Sequence, residues 1–364
     1  MKYTYWVIAV AISFLFVSCK QDDTNHFTEV NFPEIEILSQ DFKTKAKFLE
    51  TEPIELPANL FAARGCYVYY DSILVVCNRA YENHPFIEVY NLYSKALITK
   101  KVYRGNGPGE MTNGYVNRSE DCLNVRDIMK SRIASIKIDE LIKGDSSLVI
   151  FHPYKYFTQY VTFYKDSSQF VFINSNRFVD KKQGIYQGGP SLIIGDDNYI
   201  DKTRYKYNTF NITGNEIVTS YDNNRIVRIT ESDRIEFFDN NLNPLKLIQG
   251  PDDFDSKIKY FIGKEYSAVY HTSPYIFTGS HYTKKHLYCG YYGQLIKRGN
   301  MSDKYNYPYY ILKFDWNGNL VDSYWYHNQQ GGLIFPFSIS ENEDIIYLST
   351  TDEAGNVLLL KALL

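Results

Sequence analysis

The chain has 364 residues, enough for one large domain or a closed repeat fold. Its 39 Lys and Arg residues and 42 Asp and Glu residues are scattered along the sequence and give a net charge of −3. Because no basic stripe is present to neutralise phosphates, nucleic acid is excluded as an expected partner. The 34 tyrosines and the lack of alanine-rich amphipathic stretches favour strands over helices.

The N-terminus has the parts of a secretory signal peptide. Lys2 supplies a positive charge, residues 6–17 form an apolar run, and Phe16-Val17-Ser18-Cys19 resembles the lipobox of bacterial lipoproteins. A membrane-spanning helix needs roughly 20 apolar residues, so a permanent anchor helix is the less favoured alternative. We therefore predict that residues 1–18 are removed and that Cys19 becomes the first residue of the mature protein.

Residues 19–28 are predicted to form a lipidated tether. The lipoprotein resemblance implies acyl chains on Cys19, and each buried methylene contributes about 0.8 kcal/mol to membrane anchoring. Lys20-Gln21-Asp22-Asp23 resembles the export signal of lipoproteins displayed on the outer face of the outer membrane, although an ordinary solvated tether would also be charged. The predicted location is the outer membrane, with the membrane itself as a partner through Cys19, and we expect the protein to be displayed at the cell surface.

Residues 29–364 are predicted to form one all-β domain, because short apolar runs alternate with clusters of Asn, Asp, Gly and Ser. A strand followed by a turn that begins at Asn or Asp recurs at residues 87–91, 235–239 and 311–315, with weaker copies starting at 136, 192 and 357. Starts about 45 to 55 residues apart indicate a six-bladed β-propeller of four-stranded antiparallel blades. A β-sandwich with coincidental spacing is the alternative.

Four segments carry a more specific resemblance: Phe48-Leu49-Glu50-Thr51, the hairpin at 67–78, the strand at 86–91, and Arg104-Gly105-Asn106-Gly107-Pro108-Gly109-Glu110. Together they are similar to the six-bladed, TolB-like β-propeller lipoproteins. The resemblance covers residues 45–115 well and the remainder loosely. It implies that the glycine-rich segment follows the last strand of the first blade.

The glycine-rich segment is predicted to be a structural turn. Gly105, Gly107 and Gly109 allow positive φ and close backbone approach, Pro108 restricts one φ, and Glu110 can cap the turn. A dinucleotide-binding loop is disfavoured, because Glu110 occupies the place of the final glycine and no helical pattern follows.

No pattern identifies a metal, a cofactor or a catalytic residue. His281 and His286 lie in a segment without helical periodicity, whereas zinc ligands on one helix face are three or four residues apart. No Gly-x-Ser-x-Gly motif occurs. The two acids of a glycoside hydrolase can be distant in sequence, so an enzyme stays open.

Cys66 and Cys77 flank a possible hairpin turn at Asp71-Ser72. A two-residue turn there would place the two cysteines opposite each other, within reach of a disulfide. Two buried free thiols are the alternative that we favour, since cysteine packs well as a small apolar residue.

The longest interval between repeats, from 235 to 311, predicts extra chain on the binding face. The stretch 260–326 is rich in tyrosine, and we predict ligand contacts from Tyr291, Tyr292, Arg298, His281 and His286. The alternative is that such tyrosines line one side of a strand and fill the core.

The sequence therefore predicts an envelope-anchored binding or scaffold module whose partner is a glycan or an envelope protein. A propeller-type carbohydrate-active enzyme, either a polysaccharide lyase or a glycoside hydrolase, is the alternative. Ring closure is expected from the apolar C-terminal strand, Val357–Leu363, paired with a strand near residues 30–38.

Overall fold

The computed structural model describes most of the chain from residue 31 onward. The described residues are 31–57, 60, 63–78, 85–119, 121–127, 129–130, 132–144, 149–153, 158–164, 169–174, 178–180, 185–187, 191–195, 200–206, 214–230, 233–252, 260–262, 268–270, 272–297, 308–327, 337–352 and 356–364. The predicted signal peptide, Cys19, the tether up to residue 28 and Arg298 lie outside these residues. No helix in the described ranges is long and apolar enough to cross a membrane.

Short elements lead into the first two sheets. The N-terminal elements are β1 (Glu34–Ile37), α1 (Asp41–Lys45), β2 (Lys47–Phe48) and β3 (Glu52–Ile54). Sheet 1 contains β4 (Ala63–Tyr69), β5 (Ile73–Asn78), β6 (Ile87–Asn91) and β7 (Leu97–Lys101). Sheet 2 contains β8 (Gly114–Ser119), β9 (Cys122–Asp127), β10 (Arg132–Lys137) and β11 (His152–Pro153), with α2 (Ile138–Ile142) after β10.

The next two sheets have the same order. Sheet 3 contains β12 (Thr158–Tyr164), β13 (Gln169–Asn174), β16 (Ser191–Gly195) and β17 (Ile200–Lys206). A separate hairpin, β14 (Phe178–Asp180) and β15 (Ile185–Gln187), is inserted between β13 and β16. Sheet 4 contains β18 (Gly214–Thr219), β19 (Arg225–Thr230), β20 (Arg234–Asp239) and β21 (Pro244–Gln249).

The last two sheets follow a second inserted hairpin, which consists of β22 (Tyr260–Ile262) and β23 (Ala268–Tyr270). Sheet 5 contains β24 (Thr272–Tyr282), β25 (His286–Lys297), β26 (Pro308–Asp315) and β27 (Leu320–His327). Sheet 6 contains β28 (Phe337–Ile339), β29 (Ile345–Thr351), β30 (Val357–Leu363) and the N-terminal strand β3.

Strands that follow one another in a sheet are antiparallel neighbours, as in the blades of a β-propeller. The first strands contact one another and are therefore innermost: β12 contacts β18, β18 contacts β24, β24 contacts β28, and β28 contacts β4. These contacts show five blades in one arc, and not the closed ring of six predicted from the sequence. Sheet 2 joins the arc through side chains, since Tyr69 Oη donates to Cys122 O at 2.8 Å and Arg118 Nη1 donates to Val68 O at 2.6 Å.

The predicted repeat corresponds to the third strand of each sheet. The starts at 87, 136, 192, 235, 311 and 357 lie in β6, β10, β16, β20, β26 and β30. The polar turn after the strand is built around an aspartate in sheets 4 and 5. Asp239 Oδ1 accepts from Asn243 N at 2.8 Å, and Asp315 Oδ1 accepts from Asn319 N at 2.9 Å. The prediction of a repeated hairpin is confirmed for the three clearest copies, at 87–91, 235–239 and 311–315.

The N-terminal segment runs along the outer edges of three sheets. β3 pairs with β30, so the C-terminal strand is held by residues 52–54 and not by residues 30–38 as predicted. β1 instead pairs in parallel with β21, where Lys246 Nζ lies 2.9 Å from Glu34 and 2.6 Å from Glu36. The two glutamates on one face of β1 match this lysine, which explains why residues 34–37 lie on sheet 4. The segment covers strand edges that would otherwise be open to pairing.

The register of sheet 1 contradicts the predicted pairing of the cysteines. Cys66 is opposite Val76, and Cys77 is opposite Gly65, because the loop has three residues, from 70 to 72. A shift of one residue turns a side chain to the other face of the sheet. Cys66 accordingly packs towards sheet 6 and Cys77 towards sheet 2, and both are buried with no disulfide between them.

Candidate functional site

A cavity of about 530 Å³ lies where the innermost strands end. Five residues at or just after the ends of these strands line the cavity. Tyr69 ends β4 and is followed by Tyr70, Tyr282 ends β24, Ile339 ends β28, and Tyr221 lies in the turn after β18. Because these strands surround the centre of the arc, the cavity lies over that centre.

A second cavity of about 430 Å³ adjoins the first and shares Tyr221 and Lys284 with it. It extends over sheets 4 and 5, and its other lining residues are Asp222, Asn224, Arg225, Asp239, Asn240, Trp316 and Asn317. We call the two cavities together the axial groove.

The aromatic rings of the axial groove are held by their neighbours. Trp316 Nε1 donates to Lys284 O at 3.2 Å, and the rings of Trp316 and Tyr282 are 6.1 Å apart at an interplanar angle of 73°. Lys284 Nζ lies 4.7 Å from the centroid of the Tyr221 ring. Tyr221 is 50% exposed, so one face of its ring is available to a ligand.

Matching turns carry the groove residues of sheets 4 and 6. Ser220 Oγ accepts from Arg225 N, and Ser340 Oγ accepts from Ile345 N, each at 2.9 Å. Three residues after each serine the backbone is left-handed, with φ of 55° at Asn223 and 60° at Glu343. Asparagine tolerates this conformation better than most residues, whereas glutamate there requires compensating contacts.

Arg118 is a half-buried cation at the floor of the larger cavity. Its guanidinium stacks on the ring of Tyr69, with 4.1 Å between the guanidinium carbon and the ring centroid. Among the described residues no carboxylate forms an ion pair with it. Burial lowers the pKa of Arg118 below its ordinary value.

Of the residues predicted to bind ligand, His281 lines the axial groove. It is 4% exposed, and within the described part of the chain its Nδ1 has no hydrogen-bond partner. Burial, together with the charge of Arg118, lowers the pKa of His281 well below 6.5. The imidazole is therefore neutral at pH 7.

Glu216 lies on the innermost strand β18 and is half-buried. Burial raises its pKa to about 7. Its charge also raises the pKa of Tyr67, which belongs to β4 on the far side of the arc. Glu216 therefore faces the space that the innermost strands enclose.

The other residues predicted to bind ligand have different positions. Tyr291 is 0% exposed and Tyr292 is 5% exposed. Successive strand residues face opposite sides, so Tyr291 fills the core between sheets 4 and 5 and Tyr292 the core between sheets 5 and 6. The prediction of ligand contacts is wrong for both tyrosines, and the core-filling alternative describes them. Nδ1 of His286 lies 2.6 Å from Glu343 Oε2, so this histidine joins two sheets.

The glycine-rich segment connects sheet 1 to sheet 2 as a tight crossing. Glu110 Oε2 accepts from Gly107 N at 2.7 Å, which is the predicted cap. The three glycines do not have positive φ. Gly105 leaves room for this cap, because a Cβ atom there would displace the Glu110 carboxylate.

The sequence analysis missed Arg118, Tyr221, Tyr282 and Trp316. A usable signal existed for Tyr221, which stands in a polar turn directly after an apolar strand. Nothing in the sequence indicates that Arg118, on another sheet, meets the same cavity. No group of three His, Cys, Asp or Glu residues that could hold a metal ion occurs in the described ranges.

No protein-family model and no curated protein matches the chain. Solved structures do match it. A member of the DUF4221 family from Bacteroides vulgatus ATCC 8482 has a TM-score of 0.55 and 10% identity, over 88% of this chain and 97% of that chain. A protein of Bacteroides fragilis NCTC 9343 that is named as an exported protein has a TM-score of 0.50 and 16% identity, over 93% of this chain and 100% of that chain.

A third match is the Cps50 (Swd1) β-propeller domain of Myceliophteria thermophila, with a TM-score of 0.46 and 8% identity, over 86% of this chain and 99% of that chain. At these identities the first two matches show a shared fold alone. The TolB-like resemblance has no counterpart among the three structures, so that family assignment stays a prediction.

Proposed function

We propose that this protein is an envelope-anchored binding module that holds a glycan in the axial groove. The observation that carries the proposal is the gathering of Tyr221, Tyr282 and Trp316 beside amide and carboxylate side chains around the axial groove. Aromatic faces pack against the C–H faces of sugar rings, and amides and carboxylates bind the hydroxyl groups.

The proposal includes a lipid on Cys19 and a place on the outer face of the outer membrane. It is supported by the lipobox-like Phe16-Val17-Ser18-Cys19 and by the structural match to a protein named as exported. It also includes kinship with the TolB-like β-propeller lipoproteins, supported by the resemblance over residues 45–115.

A glycan array probed with the full-length protein in detergent tests the binding function. The variant Tyr221→Ala with Trp316→Ala should lose at least about tenfold in affinity for any glycan that binds, as expected when aromatic contacts are removed. The matched control is Tyr103→Ala, which removes an exposed tyrosine outside the groove. Equal loss in both variants, or no loss in the groove variant, would remove the groove from the proposal.

The anchor is tested separately. Labelled palmitate should enter the wild type and not Cys19→Ala, and protease treatment of intact cells should remove the wild type. Membrane retention of Cys19→Ala equal to that of wild type would contradict the lipid anchor.

Glu216 favours a second candidate, a carbohydrate-active enzyme. A carboxyl with a pKa of about 7 is half protonated at neutral pH and could serve as a general acid or base. Incubation with each bound glycan followed by product analysis would test this role. Products formed by wild type and not by Glu216→Gln would support an enzyme, and no turnover by wild type would support the binding module alone.

A further inference from the structure

The cation of Arg118 is held in place by uncharged partners. One of its N–H groups donates to Val68 O, and its flat face lies on Tyr69. The Asp71 carboxylate influences the pKa of Arg118 but makes no ion-pair contact with it. A half-buried guanidinium of this kind presents a rigid set of donors to the cavity and has lost part of its hydration.

The charges that line the larger cavity also favour an anion. The cations are Arg118, Lys284 and Lys285, and the carboxylates are Asp121, Glu341 and Glu343. Glu343 is already bound by Lys313 at 2.9 Å, outside the cavity lining. The three cations therefore face two uncompensated carboxylates, both of which belong to exposed residues.

His281 provides a second polar group at the same place. Its buried Nδ1 has no partner in the described ranges, and an unsatisfied buried nitrogen is costly. Because Nδ1 is enclosed, the imidazole can meet a ligand oxygen in the cavity only through its other ring nitrogen, Nε2, acting as an N–H donor. Arg118 and His281 come from different sheets, so only the folded propeller brings them together.

We infer that Arg118 and His281 recognise a carboxylate of the bound ligand, and that the ligand is an acidic glycan containing uronic acid residues. This inference rests on the proposed glycan-binding function and specifies its ligand class. The guanidinium binds the carboxylate with its donor fork, and the aromatic rings of the groove pack against the neighbouring sugars. Charge-assisted hydrogen bonds of this type correspond to about tenfold or more in affinity.

Calorimetric titration of the full-length protein with trigalacturonic acid and with its carboxyl-reduced counterpart, a neutral galactose trimer, tests the inference. The wild type should bind the acid at least about tenfold more tightly. Arg118→Gln should abolish this preference, and His281→Gln should weaken binding of the acid severalfold more than it weakens binding of the neutral trimer. Asp121→Asn is the matched charge variant and should tighten acid binding.

Thermal unfolding of each variant shows whether it folds. If Arg118→Gln does not fold, the preference of the wild type and the effect of Asp121→Asn still decide the question. Equal affinity of the wild type for both trimers would overturn the carboxylate site and leave glycan binding intact. Binding of a sulfated galactose trimer in place of the acid would also overturn it. Failure of every glycan on the array to bind would instead contradict the proposed function.

Discussion

Glu343 joins sheet 6 to sheet 5, and its replacement by glutamine tests how strongly one carboxylate stabilises the propeller. Its Oε2 lies 2.6 Å from His286 Nδ1, 2.9 Å from Lys313 Nζ and 3.2 Å from Tyr288 Oη. Its Oε1 accepts from Thr283 Oγ1. All four partners belong to sheet 5 or to the turn before β25, so Glu343→Gln weakens an interface between sheets.

The pKa of Glu343 supplies the magnitude. Burial by itself raises this pKa, but hydrogen bonds from Thr283, Lys313 and His286 lower it to about 2 from an ordinary 4.5. That fall in pKa corresponds to roughly 3 kcal/mol of folding stability, and screening by solvent reduces the contribution that we expect from the carboxylate to about 2 kcal/mol. Because the folded-state pKa is depressed, the contribution is complete above pH 4.5 and is lost as the pH falls towards 2.

Urea denaturation of wild type and Glu343→Gln at pH 7 and pH 3 measures this contribution. We expect a difference of about 2 kcal/mol in the free energy of unfolding at pH 7 and less than half of that at pH 3. A variant as stable as wild type at pH 7, or an equal difference at both pH values, would refute the reasoning.

Two further variants separate the charge from the backbone. Glu343→Asn introduces the residue that sheet 4 has at the matching left-handed position, Asn223. It loses the carboxylate but relieves backbone strain, so it should be about 1 kcal/mol more stable than Glu343→Gln. Asn223→Gln adds strain alone and should show no change in its effect between pH 7 and pH 3.

Three other predictions concern the core and the ends of the chain. Glu236→Gln should lower the free energy of unfolding by about 3 to 5 kcal/mol, because Oε2 of Glu236 lies 2.9 Å from Nη1 of the fully buried Arg228. Urea denaturation measures this loss, and an unchanged urea midpoint would contradict it. Deletion of residues 357–364 should lower the melting temperature of the whole domain in calorimetry, because β30 lies between β29 and β3; a separate early transition with the remainder unchanged would argue against it. Cys66 and Cys77 should react with a thiol reagent only after unfolding, since both are buried and burial raises the pKa of Cys66 to about 12; mass spectrometry of unreduced protein that lacks both labels would indicate a disulfide.

Local patterns were sufficient to locate the third strands. Each of the clearest copies combines an apolar strand with an Asn or Asp that closes the next turn through its own side chain, as Asp239 and Asp315 do. Such a signal depends on neighbours a few residues apart and is readable in one sequence. The serine turns after the first strands of sheets 4 and 6 are a weaker local signal, and the residues at the ends of these strands, which line the axial groove, were missed.

The face of the sheet that a side chain occupies, and the residue opposite it on the next strand, can be read only from the folded chain. Tyr291 and Tyr292 look alike in sequence, and only the sheets on either side of β25 show that both are buried. The pairing of Cys66 with Cys77, which depended on a two-residue turn, is ruled out by one extra loop residue, because a register shift of one residue moves a side chain to the opposite face.

The sequence by itself determined the all-β class, the repeated hairpin and the cap at Glu110, because hydrophobic alternation and turn chemistry act over short distances along the chain. Tertiary structure decided the path of the N-terminal segment, the contacts that Glu343 makes with sheet 5, and the placement of Arg118 and His281 in one cavity. These contacts join residues far apart in sequence, and their energies depend on the packing of sheet against sheet, which a single sequence does not specify.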